Sequence, residues 1–387
     1  MLKLGLVRDN KINQWTLQRE ECLTDRLDLT LFVGERNDYD VSQIRIPKQL
    51  LTHREELLLA ARSPAVAWGR LRRAPFRRAD YYYHSLRKHL RGFDLVHSAD
   101  FLRSAYSLAD LKEPLGFRLV LSWWQNIPYW SALDERGGFY RDHVIPRTDA
   151  FVPYTEAAAQ ALVMEGVSAN KIHVVRPAVD LKRFRPGPKD ETLLRRLNIP
   201  EDAFVVTFVG KLASHKGVYV LPYALKILTD GGMTKVHVVL AGRGAQRATL
   251  EKLVGLWGLA ECFHFLDFLG YHDIHRVHSI ADAFVLPSYP TLTWQEQFGF
   301  VLAEAMASGK AVVASSSGAI AEVIGDAGLL FPAGDFDALA GLLRRLITER
   351  ALREELGGKA RLRAEALFDP SRNADALHEV YQQVMRA

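Results

Sequence analysis

The stretch SYPTLTWQEQFGFVLAEAMASGKAVVAS (residues 288–315) reads as a loop, a helix and a strand in succession. Gly299 marks where the helix can start, and Val301, Leu302, Ala305 and Met306 supply its buried face. AVVAS (311–315) is a short apolar run of the kind that fills a buried parallel strand. Two carboxylates frame the helix start: Glu296 lies ahead of it and Glu304 eight residues further on. A helix N-terminus presents free N–H groups and a partial positive charge, so it binds phosphate. Glu296 is placed to accept hydrogen bonds from sugar hydroxyls. Glu304 lies about 7–8 Å along the axis, at 1.5 Å per residue, where it could grip a ribose diol while a diphosphate sits at the helix start. The competing reading has Glu304 on a solvated helical face and Glu296 as a loop carboxylate.

Upstream, VVTFVGKLASHKGVYVLPYALKIL (205–228) reads as strand, loop and helix. Lys211 follows Gly210 at the strand end, and Lys216 and Gly217 stand where the helix begins, with Val218, Leu221, Leu225 and Leu228 as its apolar face. Two lysines at the C-terminal end of a first strand suit two phosphates at the switch point of a parallel sheet; the alternative is a pair of surface lysines. Gly242 and Gly244 follow the next strand in LAGRGAQRATLEKL (240–253), which is not a GxGxxG motif.

Further strands are expected at HVVLAG (237–242), FHFLDF (263–268), AFVLPS (283–288) and GLLF (328–331). The first half repeats the rhythm with KLGLV (3–7), LTLFV (29–33), LVHS (95–98), RLVLSW (118–123) and AFVPY (150–154), with a helix at 156–166. HVVRPAVDLKRFRPGPKD (173–190) begins as a strand and ends in a loop rich in Pro, Gly and charge. The expected organisation is therefore two α/β domains, 1–186 and 187–371, with a last helix at about 372–386 that is free to return to the first domain.

Composition agrees. The 387 residues are 48% hydrophobic and 25% charged, ordinary for a soluble globular chain of two or three domains. Cys22 and Cys262 are far apart and form no CxxC pair, which argues against a disulfide framework or structural zinc. No apolar run reaches the ~18 residues of a membrane span, and MLKLGLV reads as a first strand and not a signal peptide. Net charge is +5. Nine basic residues between Arg62 and Arg91, among them Arg72, Arg73, Arg77 and Arg78, face one acid, Asp80, with Trp68, Phe76 and Tyr81–Tyr83 interleaved. Such a segment suits an anionic membrane surface, a phosphorylated acceptor or nucleic acid, or is simply a solvated helical face.

Taken together, FVGKLASHKG (208–217), AGRGAQRATLE (241–251), ADAFVLPS (281–288), EQFGFVLAEAMASGKAVVAS (296–315) and GLLFPAGDFDALA (328–340) resemble the C-terminal domain of glycosyltransferase family 4. The likeness continues upstream through 151–186, and the first 150 residues match in outline. The resemblance implies a GT-B fold: two Rossmann-like α/β domains whose parallel sheets face a central cleft. It also implies a retaining, metal-independent transfer from a nucleotide-diphosphate sugar, with no cofactor. Lys211 and Lys216 resemble the basic pair that holds the donor diphosphate, although the family usually has Arg where Lys211 stands. Glu296 resembles the first Glu of the family's paired-glutamate motif, Glu304 the ribose-binding Glu, and Phe298, Gly299 and Phe300 the segment touching sugar and phosphate; Gly210 and Gly242 line the same donor site. Asp335-Phe336-Asp337 is a DxD triplet, which marks a metal site in other glycosyltransferases; here it opens a helix and reads as a cap.

The chain departs from the family in its first domain. LGLVRDNKINQW (4–15) lacks the usual glycine-rich turn, and LSWWQNIPYW (121–130) places Gln125 about where relatives often carry a His near the anomeric carbon. His97 also resembles a family position, on the acceptor side, or else ends a strand. The implied protein is cytoplasmic, with an acceptor that is a glycan, a lipid or a small molecule, in cell-surface glycan or glycolipid synthesis. The basic segment suggests peripheral attachment to an anionic membrane face, and no nucleic-acid motif accompanies it. Two rivals remain at this stage: a nucleotide-sugar epimerase on the same frame, and a basic anion-binding protein with a degenerate site.

Overall fold

The computed structural model describes residues 1–9, 11–53, 83, 85–99, 103–130 and 140–387. It divides into two compact units: Met1–Ala178 with Pro370–Ala387, and Val179–Asp369. Among the described residues each unit carries one six-stranded sheet, and every pairing within it is parallel.

In the first unit the strands are β1 (Lys3–Val7), β2 (Asp28–Gly34), β3 (Lys48–Leu51), β4 (Leu95–Ser98), β5 (Arg118–Trp123) and β6 (Ala150–Pro153), in the order 3-2-1-4-5-6. The period-two alternation of the strands sorts side chains between two cores. Phe32, Leu119, Leu121 and Trp123 enter one, with Leu108 of the Arg103–Leu115 helix and Leu162 of the Glu156–Met164 helix. Leu29, Leu31, Val33 and Val120 enter the other. The final helix, Pro370–Arg386, closes that second core with Ala374, Leu377, Val380, Tyr381 and Val384. It therefore belongs to the N-terminal unit, and it begins two residues before the position expected from sequence.

The second unit repeats the order: β7 (Phe204–Val209), β8 (Val236–Ala241), β9 (Phe263–Leu266), β10 (Ala283–Leu286), β11 (Ala311–Ser315) and β12 (Leu329–Phe331) run as 12-11-10-7-8-9. All six residues of β7 and of β8 are buried, as a parallel sheet covered on both faces requires. Strand order reverses between β7 and β10, so their carboxyl ends bound a crevice where ligands bind in open α/β sheets.

Three details differ from the sequence expectation. β3 was not foreseen. Residues 173–175 form no strand, although His173 and Val175 donate to the carbonyls of Phe151 and Pro153 beside β6 (2.9 and 3.1 Å). The boundary lies at 178/179 and not at 186/187. Its physical reason is that 179–186 is tied into the second unit: Val179 N donates to Phe368 O (2.9 Å), Arg361 donates to Phe184 O (2.8 Å), and the Phe184 ring is fully buried. No helix among the described residues is long and apolar enough to cross a membrane.

Candidate functional site

β7 delivers Gly210 and Lys211 at its carboxyl end, beside the loop that follows β8. The two loops run backbone against backbone. Gly210 N donates to Ala241 O and Leu212 N to Arg243 O, both at 2.9 Å, and a Cβ on Gly242 would stand 1.9 Å from Gly210 O. Gly242 thus has a packing role, and this explains a glycine there without reference to a ligand. Lys211 is exposed.

The loop then tightens into a short turn, Ser214–Lys216, ended by Gly217 at φ +62°. A Cβ at Gly217 would lie 1.9 Å from the Pro287 carbonyl oxygen, so only glycine lets this turn lie on the end of β10. Tyr289 N donates to His215 O at 2.8 Å and fixes the contact. Lys216 is thereby brought to Glu296, eighty residues on: Nζ to Oε2 is 2.7 Å. Ser288 Oγ donates to the same oxygen at 2.6 Å. The Lys216 ammonium also sits 4.7 Å from the centre of the Trp294 ring, and the His215 ring centre is 4.4 Å from the same ring. Burial, then Lys216, then Lys211 hold the His215 imidazole below its usual pKa, so it stays neutral beside the two cations. The Glu296 side chain is only 8% exposed, which makes its ion pair a largely desolvated one that depends on the Ser288 bond to be tolerated.

The Phe300–Ala307 helix starts at Gly299, in the left-handed region at φ +81°, and no side chain caps it. Leu302 N and Ala303 N donate to Gly299 O (2.9 and 3.2 Å), so an anionic ligand at this end would meet the N–H groups of Phe300 and Val301. Phe298 is buried and packs edge-on against Phe300 and Phe368, so the segment offers backbone rather than the Phe298 ring. Glu304 does not lie on a solvated face: its side chain is 4% exposed, and Oε2 has no hydrogen-bond partner. Burial pushes its pKa up to about 8, opposed by the Arg183 charge. Facing it is His278 of the Tyr271–Ile280 helix, with Nε2 3.7 Å from Oε2.

The Asp335 carboxylate caps the Phe336–Thr348 helix, accepting from Ala338 N at 2.8 Å, and Asp337 lies in the first turn. Among the described residues no group of three or more His, Cys, Asp or Glu could hold a metal ion. Neither Cys22 nor Cys262 is in a disulfide.

In the N-terminal unit the expected residues are engaged locally. The Gln125 side-chain oxygen accepts from Asn126 N (3.1 Å) and Ile127 N (3.3 Å), so it braces its own turn. The acceptor-side reading of His97 is corrected: it is fully buried, with Nδ1 at 2.7 Å from the Tyr381 hydroxyl and Nε2 at 2.9 Å from Ser122 Oγ, and no ring nitrogen is left for a ligand. Where the family's glycine-rich turn is missing, Arg8 and Arg19 share the buried Glu20 carboxylate oxygen (3.2 and 3.3 Å). Arg72, Arg73, Arg77 and Arg78 lie outside the described residues. Sequence reasoning missed Ser288, Trp294, His215 and His278. The first three lie inside the quoted loops; His278 gave only the weak signal of a polar residue amid the buried positions Val277 and Ile280.

Comparison with known proteins is consistent with this geometry. The family model for "Glycosyl transferases group 1" matches residues 189–363, and the one for "Glycosyltransferase Family 4" matches residues 37–183. The D-inositol 3-phosphate glycosyltransferase of Saccharomonospora viridis is 32% identical over 257 residues, 64% of this chain and 58% of the relative. That of Corynebacterium jeikeium is 33% identical over 253 residues, 62% of this chain and 59% of the relative. The match thus spans less than two thirds of these relatives' length. Among solved structures, Anabaena Alr3699/HepE in complex with UDP has a TM-score of 0.80 at 18% identity, covering 99% of this chain and 100% of that one. Sucrose-phosphate synthase from Thermosynechococcus elongatus has a TM-score of 0.72 at 21% identity, with 100% of both chains covered. At these identities the likeness speaks to the fold.

Proposed function

The chain belongs to the family 4 glycosyltransferases and has the GT-B fold, and from that premise we propose that it moves a glycosyl group from a nucleoside-diphosphate sugar to an acceptor hydroxyl, retaining anomeric configuration and needing no metal. The observation that carries the reading is a set of contacts at the carboxyl ends of β7 and β10: Lys216 bonds Glu296, Glu296 Cγ lies 3.7 Å from where a Cβ on Gly299 would stand at the uncapped helix start, and the Lys211 charge reaches His215 beside Lys216. These are the groups a diphosphate needs, and the Glu296 carboxylate is the partner that one would displace.

In this mechanism the diphosphate replaces Glu296 as the partner of the Lys216 ammonium. Lys211 and the helix N–H groups take the remaining phosphate oxygens. Their charge stabilises the leaving diphosphate as the C1–O bond breaks. The acceptor oxygen bonds to C1 on the same face, and its proton passes to the departing phosphate oxygen. Glu296, released from Lys216 but still bonded by Ser288, turns to the sugar hydroxyls, and Glu304 takes the ribose diol. A uridine donor is the first to test, since HepE was solved with UDP. D-inositol 3-phosphate belongs in the acceptor panel, since the relatives carry that name. We place the reaction in surface-glycan or glycolipid synthesis at the cytoplasmic membrane face, with the basic segment 62–91 as the membrane contact. Charge reversal of Arg72, Arg73, Arg77 and Arg78 should then abolish co-sedimentation with anionic vesicles.

The test is a thermal-shift and calorimetric panel of UDP-, GDP-, ADP- and dTDP-sugars with Glu304→Ala as control. One nucleotide that stabilises the protein, and fails to stabilise the variant, supports the donor site. Stabilisation by none of them rejects it.

A further inference from the structure

Among the described residues, His278 and Glu304 form a pair that packing alone does not explain. His278 is fully buried and neither ring nitrogen has a hydrogen-bond partner; Glu304 Oε2 is sealed and equally unpartnered. They face one another at 3.7 Å across two neighbouring helices, Tyr271–Ile280 and Phe300–Ala307. The rings of Phe184 and Phe284 stand 5.8 and 5.3 Å from the imidazole centre and limit its turning. The charged and titratable groups around the pair are Arg183 on the Glu304 side and Lys310 and His275 on the His278 side. Burial drives both members neutral: Glu304 up to about 8 and His278 down to about 3. The shared proton therefore rests on Glu304, which leaves the acid with one O–H to donate and the imidazole with one nitrogen to accept.

We propose that His278 is the positioning residue of Glu304: its Nε2 accepts the Oε2–H of the acid, and the carboxyl is thereby oriented so that Oε1 accepts from a ribose hydroxyl of the bound nucleotide. This rests on the donor-site reading above. No proton changes owner. The O–H stays on Oε2, the imidazole proton stays on Nδ1, and the ribose hydroxyl donates to Oε1. The only movement is closure from 3.7 Å to an ordinary O–H···N length of about 2.8 Å. A carboxyl held this way recognises a hydroxyl and gains nothing from a sugar that lacks one, so the pair selects ribonucleotides.

The experiment is calorimetric titration of the full chain with UDP, GDP and ADP and with the 2′,3′-dideoxy form of each. For the nucleotide that binds, the wild type should prefer the ribose form by about tenfold or more, the worth of one good hydrogen bond. His278→Phe should bring that ratio to within about threefold of unity by weakening the ribose form alone. If His278→Phe keeps the wild-type ratio while Glu304→Ala abolishes it, the His278 assignment is overturned and the donor site stands. If Glu304→Ala binds as the wild type does, the donor-site reading itself is wrong. Should the phenylalanine variant not fold, His278→Gln and His278→Asn carry the comparison. The glutamine amide oxygen reaches the Nε2 position and keeps the ratio, whereas asparagine stops short and loses it. Equal ratios in the two overturn the proposal.

Discussion

Lys216 Nζ and Glu296 Oε2 are 2.7 Å apart, so under the proposed mechanism the cation that would hold a diphosphate is paired with the carboxylate that would turn to the sugar. Ser288 on the carboxylate and Trp294 under the ammonium keep both in register. A diphosphate carries more charge than a carboxylate, so it can displace Glu296 from Lys216 and free both groups at once. Lys216→Met should therefore raise the donor Kd and lower kcat, by about 10²-fold in kcat if the leaving-group charge is its main task. Glu296→Gln keeps the Ser288 bond and removes the competitor. It should lower kcat by a similar factor while leaving donor Kd unchanged or tighter. A Glu296→Gln variant with weaker donor binding and normal kcat would reverse the two assignments.

Gly217 tests whether that geometry depends on backbone fit. Its φ of +62° and the 1.9 Å approach of a would-be Cβ to Pro287 O are both backbone constraints that no rotamer can relieve. Gly217→Ala should cost about 2 kcal/mol or more in unfolding free energy and weaken donor binding although every charged side chain is kept. Parallel denaturant unfolding and calorimetry would check both.

Both sheets were legible because their strands are short apolar runs. LVHS, RLVLSW and AVVAS match β4, β5 and β11 residue for residue. β3 was not, because KQLL is a four-residue edge strand with polar, largely exposed positions and no period to read. Lys216 and Glu296 could be flagged as charges at loop-to-helix junctions. Their bond to each other could not, because it depends on the Gly217 turn lying on Pro287. The 179–186 segment misled for a related reason: its Pro, Gly and charge look like a linker, yet Phe184 and the carbonyls that Arg361 binds anchor it. Gln125 was placed from resemblance, and its amide is in fact bonded to Asn126 and Ile127.

The Arg8–Glu20–Arg19 cluster predicts a stability effect without a donor effect. All three side chains are nearly sealed, and the Glu20 carboxylate is the anion between the two guanidinium groups. Arg19 also reaches Val175 O at 2.8 Å and Ser122 Oγ at 3.3 Å, which links β5 to the segment that runs beside β6. Glu20→Ala leaves two buried cations facing each other. It should cost about 3–5 kcal/mol and lower Tm well below that of Gln125→Ala, which loses only a turn brace worth about 1 kcal/mol. Nucleotide binding by whatever fraction remains folded should be unchanged in both.

Glu304 sets a pH dependence whose sign can be worked out. Burial pushes its pKa in the folded protein up to about 8, from an ordinary 4.5 in the unfolded chain. Between those values the folded state holds the proton more tightly than the unfolded state does. Stability must then fall as pH rises, because unfolding releases a proton. The contribution is fully present below about 4.5 and lost as pH climbs through about 8. His278 runs the other way. Its folded pKa is lowered to about 3 from 6.5, so its contribution is present above 6.5 and declines as pH falls. Glu304→Gln removes the titrating carboxyl and keeps the shape of the side chain. At pH 5 the variant and the wild type should therefore unfold at similar denaturant concentrations. At pH 9 the variant should be the more stable by up to a few kcal/mol, the order set by a shift of this size. Equal stability of the two at pH 9 would mean that the Glu304 carboxyl is hydrated in solution and not sealed beside His278.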